Sequence, residues 1–190
     1  MATTKPGERK LQILQTLAAM LEQPKGEKIT TAALAARLQV SEAALYRHFA
    51  SKAQMFEGLI EFIETTVFSL INKITSETSN GVQQCDQIVA VLLRFAEQNP
   101  GMTRVLIGDA LVNEDERLQA RINQLYDRLE ATLRQSLRIA QTETPERFDP
   151  NAHAHALVAF VAGCWQRYAK TGFKRKPTEQ WDLERGYLLA

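Results

Sequence analysis

The chain has 190 residues, 45% hydrophobic and 24% charged, which excludes a disordered or fibrous polymer and allows one or two packed units. Its formal net charge of +1 says little until it is divided: residues 1–56 carry eight Lys/Arg against four Asp/Glu, and the remainder carries 15 against 18. A basic head on a mildly acidic body suits a phosphate-rich partner at one end, and speaks against a purely architectural DNA protein, whose body would be far more basic.

No stretch sustains the apolar–polar alternation of a strand, so the chain reads as all-α. Leu14, Leu17, Ala18 and Leu21 recur at helical spacing, and Pro24 and Gly26 are expected to end that first helix. A second, short helix is expected from an N-cap at Thr30 or Thr31 to about Leu38. Gln39 and Val40 form a turn, and Ser41 caps a third helix over 42–49. Ser51 and Gln54 spell a capping box that opens a long fourth helix, running to about Thr75. Phe56, Leu59, Ile60, Ile63, Val67, Leu70, Ile71 and Ile74 project onto its single wide apolar face.

A polar turn over 76–81 leads to a fifth helix, about Val82–Asn99, stopped by Asn99-Pro100-Gly101. A short sixth helix is expected over Met102–Leu111. The acidic cluster Glu114–Glu116 opens a seventh, where carboxylates offset the helix dipole; Leu118, Ile122, Leu125, Leu129 and Leu133 mark its face, which fades after Ala140. After a charged loop over 141–148, Asp149-Pro150 starts an eighth helix carrying Leu157, Phe160, Val161, Cys164, Trp165 and Tyr168. A basic stretch over 173–178 precedes a short final segment.

Cys85 and Cys164 lie in helical apolar patterns without metal spacing and are expected to be buried free thiols of a reducing compartment. The opening MATTKPGERK has no apolar stretch, and the longest apolar run, Ala156–Trp165, falls short of the roughly 20 residues of a membrane span. A soluble cytoplasmic protein is expected. Nor is catalysis expected: His153 and His155, two apart on a helix, diverge by about 200° and cannot share a metal. His48 has no nucleophile or carboxylate partner in sequence, and there is no glycine-rich phosphate loop. No cofactor or metal is implied.

Three short helices in the first 50 residues, two joined by a tight turn, are a common DNA-reading arrangement. In projection Leu45 and Phe49 of the third helix face inward with Val40, whereas Ala43, Tyr46 and Arg47 face outward. Small Ala43 and Ala44 let the helix approach a major-groove floor, and an Ala methyl can touch a thymine methyl. Arg47 can read a guanine or hold a phosphate, and the Tyr46 hydroxyl suits a phosphate. Thr30, Thr31 and Lys52 stand at helix starts as flanking phosphate clamps. Thr30, Thr31, Ser41 and Ser51 are equally readable as plain caps, Tyr46 as a packed surface aromatic, and His48 as packed or phosphate-facing.

The run ITTAALAARLQVSEAALYRHFASKAQMFEGLI closely resembles the DNA-binding domain of the TetR family. The shared pattern is Thr, then apolar-Ala-apolar, Val-Ser, Leu-Tyr-x-His-Phe and Ser-Lys-x-x-apolar, over residues 10–60. The resemblance implies a helix-turn-helix head, placed here at 8–52, on a helical dimerisation and partner-binding body at 53–190. It also implies a two-fold pairing of the last two long helices, with Ala159 and Gly163 small enough for close approach or else ordinary core. It gives the DNA-binding set Thr30, Thr31, Ser41, Ala43, Ala44, Tyr46, Arg47, His48 and Lys52.

A narrower resemblance, to the nucleoid-occlusion factors of that family, runs through SEAALYRHFASKAQMFEGLIEFIE, RFAEQNPGMTRVL and DERLQARINQLYDRLEATLRQ and weakens after about residue 140. It implies dimers on short palindromic chromosomal sites, singly or clustered, that engage the C-terminal tail of the division protein FtsZ and antagonise its polymers. Phe62 lies about 60° outside the core stripe of its helix, so it is packed on a neighbour or exposed as an anchor. Arg94 and Gln98 sit one turn apart on the fifth helix, and Asn99 ends it. By resemblance Phe62, Arg94, Gln98 and Asn99 form the tail-binding face. Phe62 and Asn99 agree with the pattern; at 94 and 98 the expectation is a small residue and an Arg, so here the cation has moved one turn back. Asn99 reads equally as a helix C-cap. The alternative is a ligand-responsive repressor of the same family, its body holding an apolar pocket; the body offers aromatics such as Phe95, Phe160 and Trp165, which read more simply as plain core.

Overall fold

The computed structural model describes residues 6–23, 29–143 and 149–189. Nine α-helices and one 3₁₀ turn are found among these residues, and no strand occurs among them. The N-terminal unit comprises α1 (Pro6–Leu21), α2 (Thr31–Arg37) and α3 (Glu42–Tyr46). Ile13, Leu17, Ala18 and Leu21 of α1 bury one stripe against Leu34 and Ala35 of α2 and Leu45 of α3. The expected stop signals Pro24 and Gly26 lie outside the described residues.

Between α2 and α3 the chain reverses over residues 38–40, with Gln39 in the left-handed region at φ 55°. A non-glycine residue there costs about 1–2 kcal/mol, offset by the burial of Leu45 and Phe49 that the reversal permits. The third helix is shorter than its sequence pattern, ending at Tyr46 with Arg47 as C-cap. Phe49 is buried, as expected, from the following turn, where the Phe49 N–H still donates to the Leu45 carbonyl.

The long α4 (Lys52–Glu77) continues from this unit into the body. Ser51 accepts from the Gln54 N–H, and the Gln54 side chain returns to the Ala50 N–H, one residue before the usual capping-box donor. Its buried stripe includes Met55 and Phe68 in addition to the expected residues, but Ile74 is only half-buried and Leu70 lies outside it, 42% exposed.

The body consists of α4, α5 (Gly81–Gln98), α6 (Pro100–Leu106), α7 (Glu116–Glu143), α8 (Pro150–Lys170) and α9 (Trp181–Leu188). The expected sixth helix over 102–111 is broken in two. Gly108 at φ 77° ends α6, and a 3₁₀ turn follows over Asp109–Leu111. Gly101 brings α6 onto α1: an ideal Cβ there would stand 2.0 Å from the Ala18 carbonyl oxygen. Arg104 secures the same junction by donating to the Leu21 and Gln23 carbonyls and pairing with Asp109.

The core is continuous from α1 to α8 and includes Trp165, whose indole N–H donates to the Leu92 carbonyl at 3.1 Å. Cys85 and Cys164 are buried free thiols, and burial pushes the Cys85 thiol up to about 12. The C-terminal strap is held at both ends of α5. Lys176 and Thr178 meet Glu97, while Trp181 and Arg185 meet Asp86. Among the described residues no helix is long and apolar enough to cross a membrane, and no His/Cys/Asp/Glu group has metal-site geometry.

Candidate functional site

Two surfaces gather the residues singled out from sequence. The first is the outer face of α2 and α3. Ala43, Tyr46 and Arg47 are exposed together, while Ala44 and His48 are half-buried beside them. Their outward display follows from the inward anchoring of Leu45, 1% exposed, and Phe49. Thr30 and Ser41 are N-caps, their hydroxyl oxygens accepting from the Ala33 and Ala44 N–H groups at 3.1 and 3.2 Å. A capping hydroxyl keeps its own proton to donate, so a cap can also hold a phosphate. Thr31 and Tyr46 are linked: the Tyr46 hydroxyl donates to Thr31 Oγ1 at 3.5 Å, and Thr31 donates to Glu42 Oε2 at 2.6 Å.

Lys52 is placed differently from a free phosphate clamp. Its Nζ pairs with Glu114 Oε1 at 2.5 Å, with the two side chains only 21% and 12% exposed. Glu114 was legible only as part of an acidic helix start. Its partner lies 62 residues away in sequence, which no local pattern reports.

The second surface is a groove of about 240 Å³ between α4 and α5. Phe62, Thr66 and Leu70 form one wall, Val91, Arg94, Gln98 and Asn99 the other, and buried Phe95 the floor. All four partner residues named from sequence therefore line one depression. Thr66, Leu70 and Val91 were missed, because helical projection put Leu70 in the core and gave the other two no distinguishing feature. Phe62 is 40% exposed, and Arg94 is the one cation in the lining. Asn99 is also the expected C-cap, its Nδ2 donating to the Phe95 carbonyl at 2.8 Å. An exposed aromatic, an apolar floor and a cation suit an extended peptide bearing apolar side chains and a carboxylate.

A cavity of about 960 Å³ opens between the N-terminal unit and the body, with Met20, Ile29, Phe56, Lys52, Arg104 and Glu114 in its walls. Phe95, Phe160 and Trp165 are not among its lining residues: Trp165 is core, and Phe160 packs on Trp181 at 5.5 Å.

Residues 14–59 match the family described as bacterial regulatory proteins, tetR family. Residues 79–189 match the SlmA-like family described as tetracyclin repressor-like, C-terminal domain. The nucleoid occlusion factor SlmA of Alteromonas mediterranea is 49% identical over 184 residues, covering 96% of this chain and 94% of its own. That of Shewanella pealeana is 48% identical over 195 residues, covering 100% and 99%. The chain belongs to the SlmA family of nucleoid occlusion factors.

The SlmA relatives span the body as well as the head, so the resemblance that weakens to the eye after residue 140 in fact reaches the C-terminal helices. Solved structures establish the TetR-like fold over the full chain. The TetR family regulator PfmR from Thermus thermophilus superposes with a TM-score of 0.77 at 20% identity, covering 94% of this chain and 97% of that one. The fatty acid degradation regulator FadR from Bacillus halodurans gives 0.79 at 12% identity, covering 100% and 97%.

Proposed function

We propose that this protein blocks division over the nucleoid by binding short palindromic chromosomal sites as a dimer and, when DNA-bound, engaging the C-terminal tail of FtsZ. The observation that carries this reading is the convergence of Phe62, Arg94, Gln98 and Asn99 on one groove. The groove stands apart from the residues proposed to meet DNA, so both partners can be held at once.

On the DNA side, the head at 8–52 acts as the reading domain. Ala43 and Ala44 approach the base edges, and Arg47 reads a guanine or holds a phosphate. Thr30, Thr31, Ser41, Tyr46 and His48 hold the backbone, while Lys52 is held back from it by its pair with Glu114. The body at 53–190 dimerises through α7 and α8. In support, Ala159 and Gly163 are exposed on the isolated protomer, and a Cβ at Gly163 would meet nothing within 4 Å. Within one protomer they are therefore not core residues. On the tail side, Phe62 anchors an apolar side chain and Arg94 pairs a carboxylate, in place of the Arg expected one turn later.

The rival, a ligand-responsive repressor, has the cavity at the head–body joint as its support. That cavity is open to solvent and walled partly by the Lys52–Glu114 and Arg104–Asp109 pairs, unlike the mostly apolar enclosure a small effector favours. Chromosome-wide occupancy of the tagged protein tests the choice. Occlusion predicts many sites scattered over the chromosome and a cytoplasmic, nucleoid-associated protein. A single occupied site beside a divergently transcribed gene would favour the repressor.

A further inference from the structure

The proposed reading surface carries a negative charge that phosphate binding does not call for. Between Ile29 and Ser51 the sequence holds Arg37, Arg47 and His48 but one acid, Glu42. It is exposed in the first turn of α3, next to outward-facing Ala43, Tyr46 and Arg47. A carboxylate there offsets the helix dipole. That role is small on a helix of five residues whose Ala44 N–H is already capped by Ser41.

Against a duplex, a carboxylate is repelled by every phosphate. It is also repelled by the O6 and N7 acceptors of guanine. It is favourable where it meets an exocyclic amine, and cytosine N4 presents one in the major groove. The local geometry prepares Glu42 for such a contact. Thr31 donates to Oε2 at 2.6 Å and is itself met by the Tyr46 hydroxyl at 3.5 Å. Among the described residues Oε1 has no hydrogen-bond partner. One oxygen is fixed by the protein and the other is left as a free acceptor on the outward face, so little side-chain freedom remains to be lost on binding.

We propose that Glu42 is a specificity-determining residue: held by Thr31, its free carboxylate oxygen accepts from a cytosine N4 amine at one position of each half-site. This rests on the DNA-reading role of α3 proposed above and adds a base preference to it.

The test selects duplexes from a random-sequence pool with the full-length wild type, Glu42→Ala and Glu42→Gln, then measures affinity for single-base variants of the selected site. The wild type is expected to select cytosine at one position per half-site, with other bases there costing about 5- to 150-fold. Glu42→Ala is expected to lose that preference alone, and to bind unselected DNA more tightly because a repelling charge is gone. Glu42→Gln keeps an acceptor for Thr31 and adds a donor, so its preference moves toward adenine. This shift is a readout that a merely structural role would not produce, and it serves if the Ala variant folds poorly. The inference is overturned if both variants keep the wild-type preference at every position, or if they lose affinity evenly across sequences. Failure of the wild type to select any sequence would instead overturn the DNA-reading role itself.

Discussion

Lys52 and Glu114 meet across the boundary between head and body, Nζ to Oε1 at 2.5 Å, in a pair that is about four-fifths or more shielded on both sides. Two further pairs tie α4 to α7 beyond it, Glu57 with Arg117 and Glu64 with Arg121. Arg121 is bidentate, and its hydrogen bonds to Glu64 hold its pKa above the ordinary guanidinium value. The first helix turn after the reading head is thereby fastened to the body by charge as well as by packing.

Because Glu114 neutralises Lys52, Glu114→Gln is expected to release one cation per protomer toward the DNA backbone. Each added phosphate contact steepens the dependence of log affinity on log salt by about 0.9. Titrations over a range of salt concentrations check this. An unchanged slope would mean that Lys52 stays with the body and never reaches a phosphate.

Tyr46→Ala and Arg47→Ala are expected to lose specific DNA binding while the dimer persists. Both side chains are exposed and carry none of the core. A base contact by Arg47 would be worth about 1–3 kcal/mol. Fluorescence anisotropy on the selected duplex, alongside sedimentation, separates the two properties. Normal operator binding by either variant would mean that α3 is not the reading helix.

Gly101→Ala is expected to loosen the head. The added Cβ would fall 2.0 Å from the Ala18 carbonyl oxygen, a backbone atom that cannot swing aside. Overpacking of this kind costs about 1–3 kcal/mol. In a chain of this size that lowers Tm by about 2–4 °C per kcal/mol. Calorimetry checks it, and hydrogen exchange should localise the loss to α1 and α6.

Most of the helices were legible because their apolar periodicity and caps agree. Leu45, with Phe49 in the turn after it, marks the inward side of α3, and the outward face follows by subtraction. What escaped depends on contacts distant in sequence. Leu70 sits at a core-like projection angle, but the α4–α5 groove reaches that side of the helix. Gly108 interrupts an otherwise helical pattern because its φ of 77° redirects the chain toward Leu111. Lys52 reads as a free clamp in sequence because its partner, in the loop before α7, lies 62 residues away. The groove was found through Phe62, whose off-stripe angle is a local signal, and through family resemblance for Arg94, Gln98 and Asn99.

The strap leading to α9 should loosen in acid. Burial alone would push the Glu97 carboxyl up, but the Thr178 hydroxyl and the Lys176 ammonium outweigh it and hold the group below the usual glutamate range. A carboxylate with a lowered folded pKa contributes stability above its unfolded pKa, and that stability is lost as pH falls through the folded value. Hydrogen-exchange protection over 171–189, taken relative to the intrinsic exchange rate at each pH, should therefore fall below about pH 4.3, and Glu97→Gln should remove most of that pH dependence. Equal acid sensitivity in the variant would assign the loosening to other groups.

The proposed block on division stands or falls with the α4–α5 groove being the seat of the FtsZ tail. The direct measurement is a calorimetric titration of the FtsZ C-terminal tail peptide into the DNA-bound protein, wild type and Phe62→Ala in parallel. Truncating a buried aromatic anchor costs about 2 kcal/mol or more, near 30-fold in affinity. The expected result is saturable binding by the wild type, at least that much weaker in Phe62→Ala, with DNA affinity the same in both. No binding by the wild type, or equal binding by the two proteins, would contradict it.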